Sequence, residues 1–109
     1  MYSPRHPRTF VGFTADSSKL MLCTVDGRSA KSIGMTFEEM GAFLVSIGVT
    51  EAFNADGGGS TTMEVLGKIV NLPSDSTGER PVANSLQVIS IFPSDRRRKT
   101  DPVKRRIFF

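Results

Sequence analysis

Three consecutive glycines, Gly57, Gly58 and Gly59, lie in the chain between the carboxylate of Asp56 and a run of hydroxyl side chains that begins at Ser60. Glycine loses more backbone freedom on folding than any other residue, so a run of three is costly to order. Such a run is typical of a place where the backbone takes positive φ or comes very close to another group. The same residues also fit a flexible turn between two strands, and by themselves they leave both interpretations open.

The length of 109 residues, with 39% hydrophobic and 23% charged residues, predicts one globular domain. We expect no membrane span, because no apolar run is long enough. We also expect no signal peptide, because the N-terminal segment lacks an apolar core. The single cysteine, Cys23, excludes an internal disulfide and any multi-cysteine metal site. It lies in an apolar run, which predicts a small buried hydrophobic residue rather than a reactive thiol.

The positive charge of the chain is concentrated at its C-terminal end. Residues 94–109 contain seven Lys or Arg and two Asp, a net charge of +5, whereas the whole chain carries +3, so residues 1–93 carry −2. We therefore predict a domain over residues 1–92 and a basic tail over residues 93–109. The tail fits contact with nucleic acid, an anionic membrane surface or an acidic partner, and it also fits a solvated chain end. No aromatic residue interleaves the basic run, so sequence-specific nucleic-acid binding is not expected.

Alternating and apolar segments between turn residues predict about six strands, and two of the intervening turns predict hairpins. One turn follows the first strand, and the other contains Gly67-Lys68. The predicted strands are Phe10–Thr14, Leu20–Val25, Val49–Asn54, Thr61–Leu66, Ile69–Leu72 and Asn84–Phe92.

One helix is marked by unusually complete local signals. Thr36 is the expected N-cap, and Glu39 completes a capping box with it. Met35 and Met40 occupy the two positions of a hydrophobic staple, and Gly48 follows the helix as its C′ residue. Apolar residues at helical spacing predict a stripe that faces the core, made of Phe37, Met40, Phe43, Leu44 and Ile47.

These elements predict an α+β fold with a mixed or antiparallel sheet of about six strands and one main helix packed on one face. The strands Leu20–Val25 and Asn84–Phe92 are apolar on both sides, which predicts positions in the interior of the sheet. One helix covers only one face of a sheet, so the other face needs a cover of its own. We therefore expect the chain to be part of a larger domain that lacks its N-terminal half, or a protomer that pairs with a partner chain.

Carboxylates and arginines recur together at the predicted strand ends, as in Asp26 with Arg28 and Glu79 with Arg80. Arginine matches phosphate oxygens with two parallel hydrogen bonds, and successive backbone N–H groups in a glycine-rich turn form an anion-binding nest. This combination favours an anionic, phosphate-bearing ligand. Taken pair by pair, the same residues also fit ordinary surface ion pairs.

Several familiar sites do not match the sequence. The glycine run lacks the Lys-Ser/Thr of a P-loop and is followed by β-branched residues, so neither a nucleotide loop nor a dinucleotide fingerprint is predicted. The only histidine, His6, lies in a proline-flanked segment, which disfavours a Ser-His-Asp triad. No metal site and no cofactor are predicted. A divalent ion held by Asp56, Asp75 and Glu79 is a weaker alternative.

Five motifs follow one another in an order that is similar to a known family. They are His6–Gly12, Val25–Arg28, Gly34–Met40, Asn54–Ser60 and Glu79–Asn84. Over residues 5–91 the chain resembles the C-terminal half of the phosphodiester glycosidase domain. Family domains are commonly about twice as long as this chain, which agrees with the packing argument for an incomplete domain.

The resemblance implies hydrolysis of a sugar-1-phosphodiester, with removal of an N-acetylglucosamine-like sugar from a phosphate. Such cleavage passes through an oxocarbenium-like transition state and typically uses two carboxyl groups. Asp56 is the first choice for nucleophile or general base, and Glu79 is the expected partner carboxyl. The family analogy also implies a secreted or envelope-associated protein, although the chain itself leaves its location undetermined.

The residues expected to bind the substrate surround the same glycine run. Arg8 and Arg28, with Arg80 as a third candidate, are expected to hold the phosphodiester. The backbone of Gly57, Gly58 and Gly59 is expected to supply N–H donors, and Ser60 is expected to orient the substrate. The alternative functions are a sugar-phosphate-binding fragment without catalysis and an anion- or nucleic-acid-binding module that acts through the basic tail.

Overall fold

The computed structural model describes residues 3–90 and 103–108 of the chain. In those residues it contains seven strands, one α-helix and a single 3-10 turn at Gly58–Ser60. The α+β class predicted from the sequence is confirmed. The elements are β1 (Arg8–Thr14), β2 (Leu20–Val25), α1 (Phe37–Ser46), β3 (Val49–Asn54), β4 (Thr62–Val65), β5 (Lys68–Ile69), β6 (Ser85–Ser90) and β7 (Val103–Phe108).

The strands form two separate sheets rather than one. The first has three strands in the order β2-β1-β3, and the second has four in the order β5-β4-β7-β6. Every strand pair described is antiparallel. The predicted single sheet of about six strands is therefore wrong. The 3-10 turn between β3 and β4 carries the chain out of the first sheet, and β4 begins the second.

Two strands predicted to lie inside a sheet lie at an edge. Among the described residues, β2 pairs only with β1, and β6 pairs only with β7. An apolar pattern on both sides of a strand predicted burial on both sides. Strand β2 is instead half-buried, and its residues Met21, Cys23 and Val25 pack against the core. Burial of Cys23 raises the pKa of its thiol, which fits a residue that packs rather than reacts.

The sequence did not predict β7, whose residues fell in the basic tail. This strand lies between β4 and β6, and its Arg106 is in register with Glu64 of β4 and Gln87 of β6. Residues 91–102, including the basic run 96–99, lie outside the described residues, as does residue 109. At least the segment Val103–Phe108 of the predicted tail therefore belongs to the folded sheet.

The helix begins and ends where the sequence predicts. The N–H of Glu39 donates to the Thr36 hydroxyl at 3.1 Å, and the N–H of Thr36 donates to the Glu39 carboxylate at 3.1 Å. This reciprocal pair is the predicted capping box. Gly48 follows with φ of +83°, the left-handed C′ conformation that glycine adopts without strain.

The core lies between α1 and one face of the three-stranded sheet. Its buried members are Phe10, Met40, Leu44 and Val49, with Met35 and Ile47 packed against them. The end of β1 that carries Arg8 and Phe10 is fully buried, whereas β3 beyond Val49 is exposed. Of the helices described in the structure, none has the length and apolar character needed to cross a membrane.

Candidate active site

A buried proline, Pro7, is the point at which the segments of the candidate site meet. Its carbonyl accepts the N–H of Gly58 at 3.0 Å. A Cβ built on Gly57 would lie 2.6 Å from that carbonyl oxygen, and a Cβ on Gly27 would lie 2.8 Å from the Pro7 nitrogen. Both glycines are therefore places where two backbones touch, and no larger residue fits without a shift. The segment before β1, the end of β2 and the triple-glycine segment are thus fixed against one another.

The triple-glycine segment is a sharp corner between β3 and β4. Strand β3 pairs with β1 up to Asn54, and the N–H of the next residue, Ala55, donates to the Thr9 carbonyl at 2.8 Å. The chain then turns through Gly58, with φ of +60°, into one turn of 3-10 helix. Ser60, at the end of that turn, is only 5% exposed, and its N–H donates to the Gly57 carbonyl at 3.2 Å.

Two arginines lie against successive glycines of this corner. A Cβ on Gly58 would lie 3.1 Å from Nη2 of Arg28, and a Cβ on Gly59 would overlap the guanidinium of Arg80. The absence of side chains at these glycines is what lets both guanidinium groups approach the backbone. Arg28 itself has φ of +56°, a strained conformation for a residue with a side chain. The structure therefore brings together Arg28, Arg80 and the glycine corner that the sequence singled out.

Asp75 holds Arg80 in place with two hydrogen bonds. Nε of Arg80 donates to Oδ2 of Asp75 at 2.8 Å, and Nη2 donates to Oδ1 at 3.0 Å. The hydrogen bond from Arg80 and then its charge lower the pKa of Asp75, and the charge of Arg28 adds to this. The pKa of Arg80 is raised by the hydrogen bond and charge of Asp75 and, to a smaller extent, by the charge of Asp56. The ion pair uses two of the five guanidinium N–H donors and leaves three for a ligand.

The loop that carries this ion pair is anchored at its start. The side chain of Asn71 accepts the N–H of Met63 at 2.7 Å and donates to the Thr61 carbonyl at 2.8 Å, as a neighbouring strand would. The next residue, Leu72, donates its N–H to Asp26 at 2.9 Å. Asp26 thus ties the loop to the end of β2, which explains how Asp75 reaches the glycine corner.

The two carboxylates predicted as catalytic lie in different surroundings. Asp56 is exposed, lies two residues after the end of β3 and acts electrostatically on Arg80. Glu79 is exposed, and within the described residues it makes no hydrogen bond and no ion pair. The described part of the chain contains no group of three or more His, Cys, Asp or Glu placed to hold a metal ion.

Arg8 points its side chain away from the glycine corner and towards the start of α1. Nε donates to the Met35 carbonyl at 2.9 Å, one Nη donates to the Pro4 carbonyl, and the guanidinium stacks 4.0 Å from the ring of Phe37. Burial lowers the pKa of Arg8, and the charge of Glu38 opposes that shift. These contacts give Arg8 a role in holding the N-terminal segment against the helix.

Sequence reasoning passed over His6 and Pro7 and gave Asp75 only a minor role. Their importance comes from contacts between distant segments, such as the 3.3 Å contact of Arg28 with His6. The sequence does contain a conformationally restricted proline and several glycines that could allow close backbone contacts. It does not say which of these distant segments meet.

The sequence matches the phosphodiester glycosidase family over residues 2–89. It is 42% identical over 84 residues to the SPbeta prophage-derived uncharacterized protein YomE of Bacillus subtilis (strain 168). It is 40% identical over 68 residues to the N-acetylglucosamine-1-phosphodiester alpha-N-acetylglucosaminidase of Bos taurus. These alignments cover 77% and 62% of the chain but only 13% and 12% of the two relatives.

A solved structure also matches nearly the whole of this chain and only a small part of the other protein. The chain superposes with a TM-score of 0.64 and 32% identity on the crystal structure of a candidate exported protein of Burkholderia pseudomallei K96243. The match covers 96% of this chain and 16% of that structure. The chain therefore spans about an eighth to a sixth of the lengths of these relatives. Because the family match extends over most of its length, the chain belongs to the phosphodiester glycosidase family.

Proposed function

We propose that this chain carries the phosphate-binding part of a phosphodiester glycosidase site and takes part in hydrolysis of a sugar-1-phosphodiester. The observation that carries the proposal is the placement of Arg28 and Arg80 against the successive glycines Gly58 and Gly59. Two guanidinium groups so close together suit a phosphate whose negative charge is shared by several oxygens. The bovine relative named above is a glycosidase for an N-acetylglucosamine-1-phosphodiester, which supports a sugar of that kind.

The reaction breaks the bond between the anomeric carbon and the phosphate oxygen. The electron pair of that bond goes to the phosphate oxygen, the hydroxyl of a water molecule ends on the anomeric carbon, and the remaining proton of that water passes to the carboxylate that acts as general base. A phosphate monoester is a good leaving group, so cationic stabilisation of its oxygens matters more than its protonation. Asp75 has its pKa lowered by Arg80, so it stays ionised and orients that arginine rather than donating a proton.

Asp56 is proposed as the nucleophile or general base, because it is exposed and close enough to Arg80 for its charge to raise the pKa of that arginine. Glu79 remains the proposed partner carboxyl, on an exposed loop next to Arg80. Ser60 is proposed to orient the substrate from the inner side of the corner, where it is buried. Of the proposed backbone donors, Gly58 already donates its N–H to Pro7, so the proposal rests more on Gly57 and Gly59.

Replacing Arg28 by alanine is expected to weaken binding of a sugar-1-phosphodiester about tenfold or more, because a hydrogen bond to a charged group contributes about 1.5 to 3 kcal/mol. Arg80→Ala is expected to act in the same direction. Binding of the neutral methyl glycoside of the same sugar should not change, since it lacks the phosphate. Isothermal titration calorimetry with the two ligands measures both effects.

Lys19→Ala is the matched control, because it removes one positive charge from the turn between β1 and β2, at the end of β2 remote from Arg28. It should leave both affinities unchanged. A loss of affinity in Arg28→Ala that is equal for the phosphodiester and the neutral glycoside would contradict the phosphate-clamp role.

The alternative is a fragment that binds sugar phosphates without turning them over. It is favoured by the small share of its relatives that this chain spans. The same arginine variants test binding under both proposals, and turnover of the bound phosphodiester separates them. Contact with nucleic acid through the basic tail is a further reading, and its main basic run, residues 96–99, lies outside the described residues.

An exposed apolar surface on the three-stranded sheet supports the proposal that further polypeptide covers it. Phe13 and Leu20 face each other in register, and Phe53 is in register with Val11, so the three exposed residues share the face opposite α1. Strand β3, which carries Phe53, also has an open edge in the described structure. We propose that a partner chain or further domain sequence packs here.

The isolated chain is therefore expected to self-associate rather than to sediment as one species. Phe53→Ser should shift it towards the monomer, because this change removes apolar surface from the proposed contact. Ile33→Ser is the control, since Ile33 is 64% exposed and lies in the loop between β2 and α1 rather than on a strand of the sheet. Analytical ultracentrifugation measures the distribution, and a folded, monodisperse wild-type monomer would count against the proposal.

A further inference from the structure

The only histidine of the chain, His6, lies beside the proposed phosphate-binding arginine. Nη2 of Arg28 is 3.3 Å from Nδ1 of His6. A guanidinium group has donors and no acceptor, so in this contact Nδ1 must accept. The neutral imidazole then carries its proton on Nε2.

The backbone of His6 is held more firmly than the side chain of Arg28. His6 and Met35 exchange two backbone hydrogen bonds, of 3.4 and 3.1 Å. The next residue, Pro7, is buried, and Gly34 packs directly onto the His6 backbone. Arg28, by contrast, is exposed, and its own backbone is left-handed with φ of +56°. The imidazole is therefore an acceptor carried on a well-held backbone, and the long, exposed side chain of Arg28 rests against it.

We propose that His6 is a positioning residue whose Nδ1 holds the guanidinium of Arg28 over Gly58. The inference rests on the proposed function, in which Arg28 binds the phosphate of the substrate. A long side chain that is already oriented loses less freedom when the ligand binds, so affinity rises without a new contact to the ligand. The two terminal nitrogens of a guanidinium group carry four N–H groups, so the contact with His6 leaves three of them for a ligand.

The competing explanation is that the imidazole itself contacts the ligand, since the N–H at Nε2 can donate a hydrogen bond to a phosphate oxygen. Two amide side chains separate the two roles. The amide of asparagine occupies the position of Nδ1 and provides an acceptor there, whereas the amide of glutamine reaches the position of Nε2. His6→Asn therefore preserves the proposed contact with Arg28, and His6→Gln preserves the competing one.

The test measures binding of inorganic phosphate to the whole chain by NMR titration, together with the side-chain Nε–H signal of Arg28. His6→Ala and His6→Gln are expected to weaken phosphate binding about fivefold, the size of one ordinary hydrogen bond, and to shift the Arg28 signal. His6→Asn is expected to stay within about twofold of the wild type, a difference below the value of one hydrogen bond. In the Arg28→Ala background, His6→Ala should cause no further loss of affinity.

The two readouts separate this inference from the proposed function. If the wild-type chain fails to bind phosphate, the proposed function fails, and the Arg28 signal still decides whether His6 positions that side chain. An Arg28 signal that is unchanged in His6→Ala would overturn the inference. Full rescue by His6→Gln, or a further loss from His6→Ala without Arg28, would overturn it in favour of direct contact through Nε2.

Discussion

Asp56→Asn is expected to lower kcat for a sugar-1-phosphodiester by about 10² to 10⁴-fold, the usual size of a general acid or base contribution, and by more if Asp56 is the nucleophile. Asparagine keeps the shape of the side chain but removes its charge and its basicity. The fold should be unaffected, because Asp56 is exposed and makes no hydrogen bond with the described residues. Steady-state kinetics on a sugar-1-phosphodiester measures the change.

Two further carboxylates make this test specific. Glu51→Gln removes the same charge from the exposed strand β3, several residues before Asp56, and should leave kcat unchanged. Asp75→Asn should mainly raise KM, because the amide carries no charge and keeps only one of the two oxygens that accept hydrogen bonds from Arg80. Near-normal turnover by Asp56→Asn would discard the catalytic role. A wild-type chain that binds the phosphodiester but does not turn it over would favour the binding-fragment alternative.

The sequence predicted best those features whose causes are local. The helix boundaries follow from Thr36, Glu39 and Gly48, which lie within the helix ends themselves, and the structure has both caps in place. The second hairpin was also predicted, but its turn is centred on Leu66 and Gly67, which both have positive φ, rather than on Gly67 and Lys68. A left-handed leucine is uncommon, so propensity alone does not point to it.

Features that depend on distant partners were harder to predict. The basic segment of β7 reads as a solvated chain end, because only its pairing with β4 and β6 makes it a strand. The apolar strand β2 reads as an interior strand, although nothing described in the structure pairs with its outer edge. The apolar residues of a strand indicate which of its faces can be buried. They do not indicate which element or chain covers that face.

The candidate site shows the same division. The residue types around the glycine run predicted an anion site, and the structure brings Arg28 and Arg80 to Gly58 and Gly59. The sequence analysis placed Arg8 with Arg28 and Arg80 among the phosphate-binding candidates. In the structure the guanidinium of Arg8 instead contacts the start of α1. In the sequence these arginines look alike, but Arg8 lies on β1, where strand alternation places it on the same face as the core residue Phe10.

Gly34→Ala is expected to destabilise the fold by about 2 to 5 kcal/mol, the sum of a left-handed backbone cost and an overpacking cost. Gly34 has φ of +85°, and a Cβ there would overlap the backbone of His6. The His6 backbone cannot move aside easily, because both its N–H and its carbonyl are hydrogen-bonded to the backbone of Met35. Urea unfolding followed by circular dichroism gives the free energy of unfolding.

Two other glycines divide this loss into its parts. Gly67 has φ of +81° with no atom within 4 Å of a built Cβ, so Gly67→Ala should cost only the backbone term of about 1 to 2 kcal/mol. Gly41 lies in α1 with open space around it, so Gly41→Ala should stabilise the chain by about 1 kcal/mol through helix propensity. The difference between Gly34→Ala and Gly67→Ala then measures how tightly His6 is held. Equal losses at the two positions would mean that the His6 backbone yields, and an imidazole on a yielding backbone is too loosely held to fix Arg28.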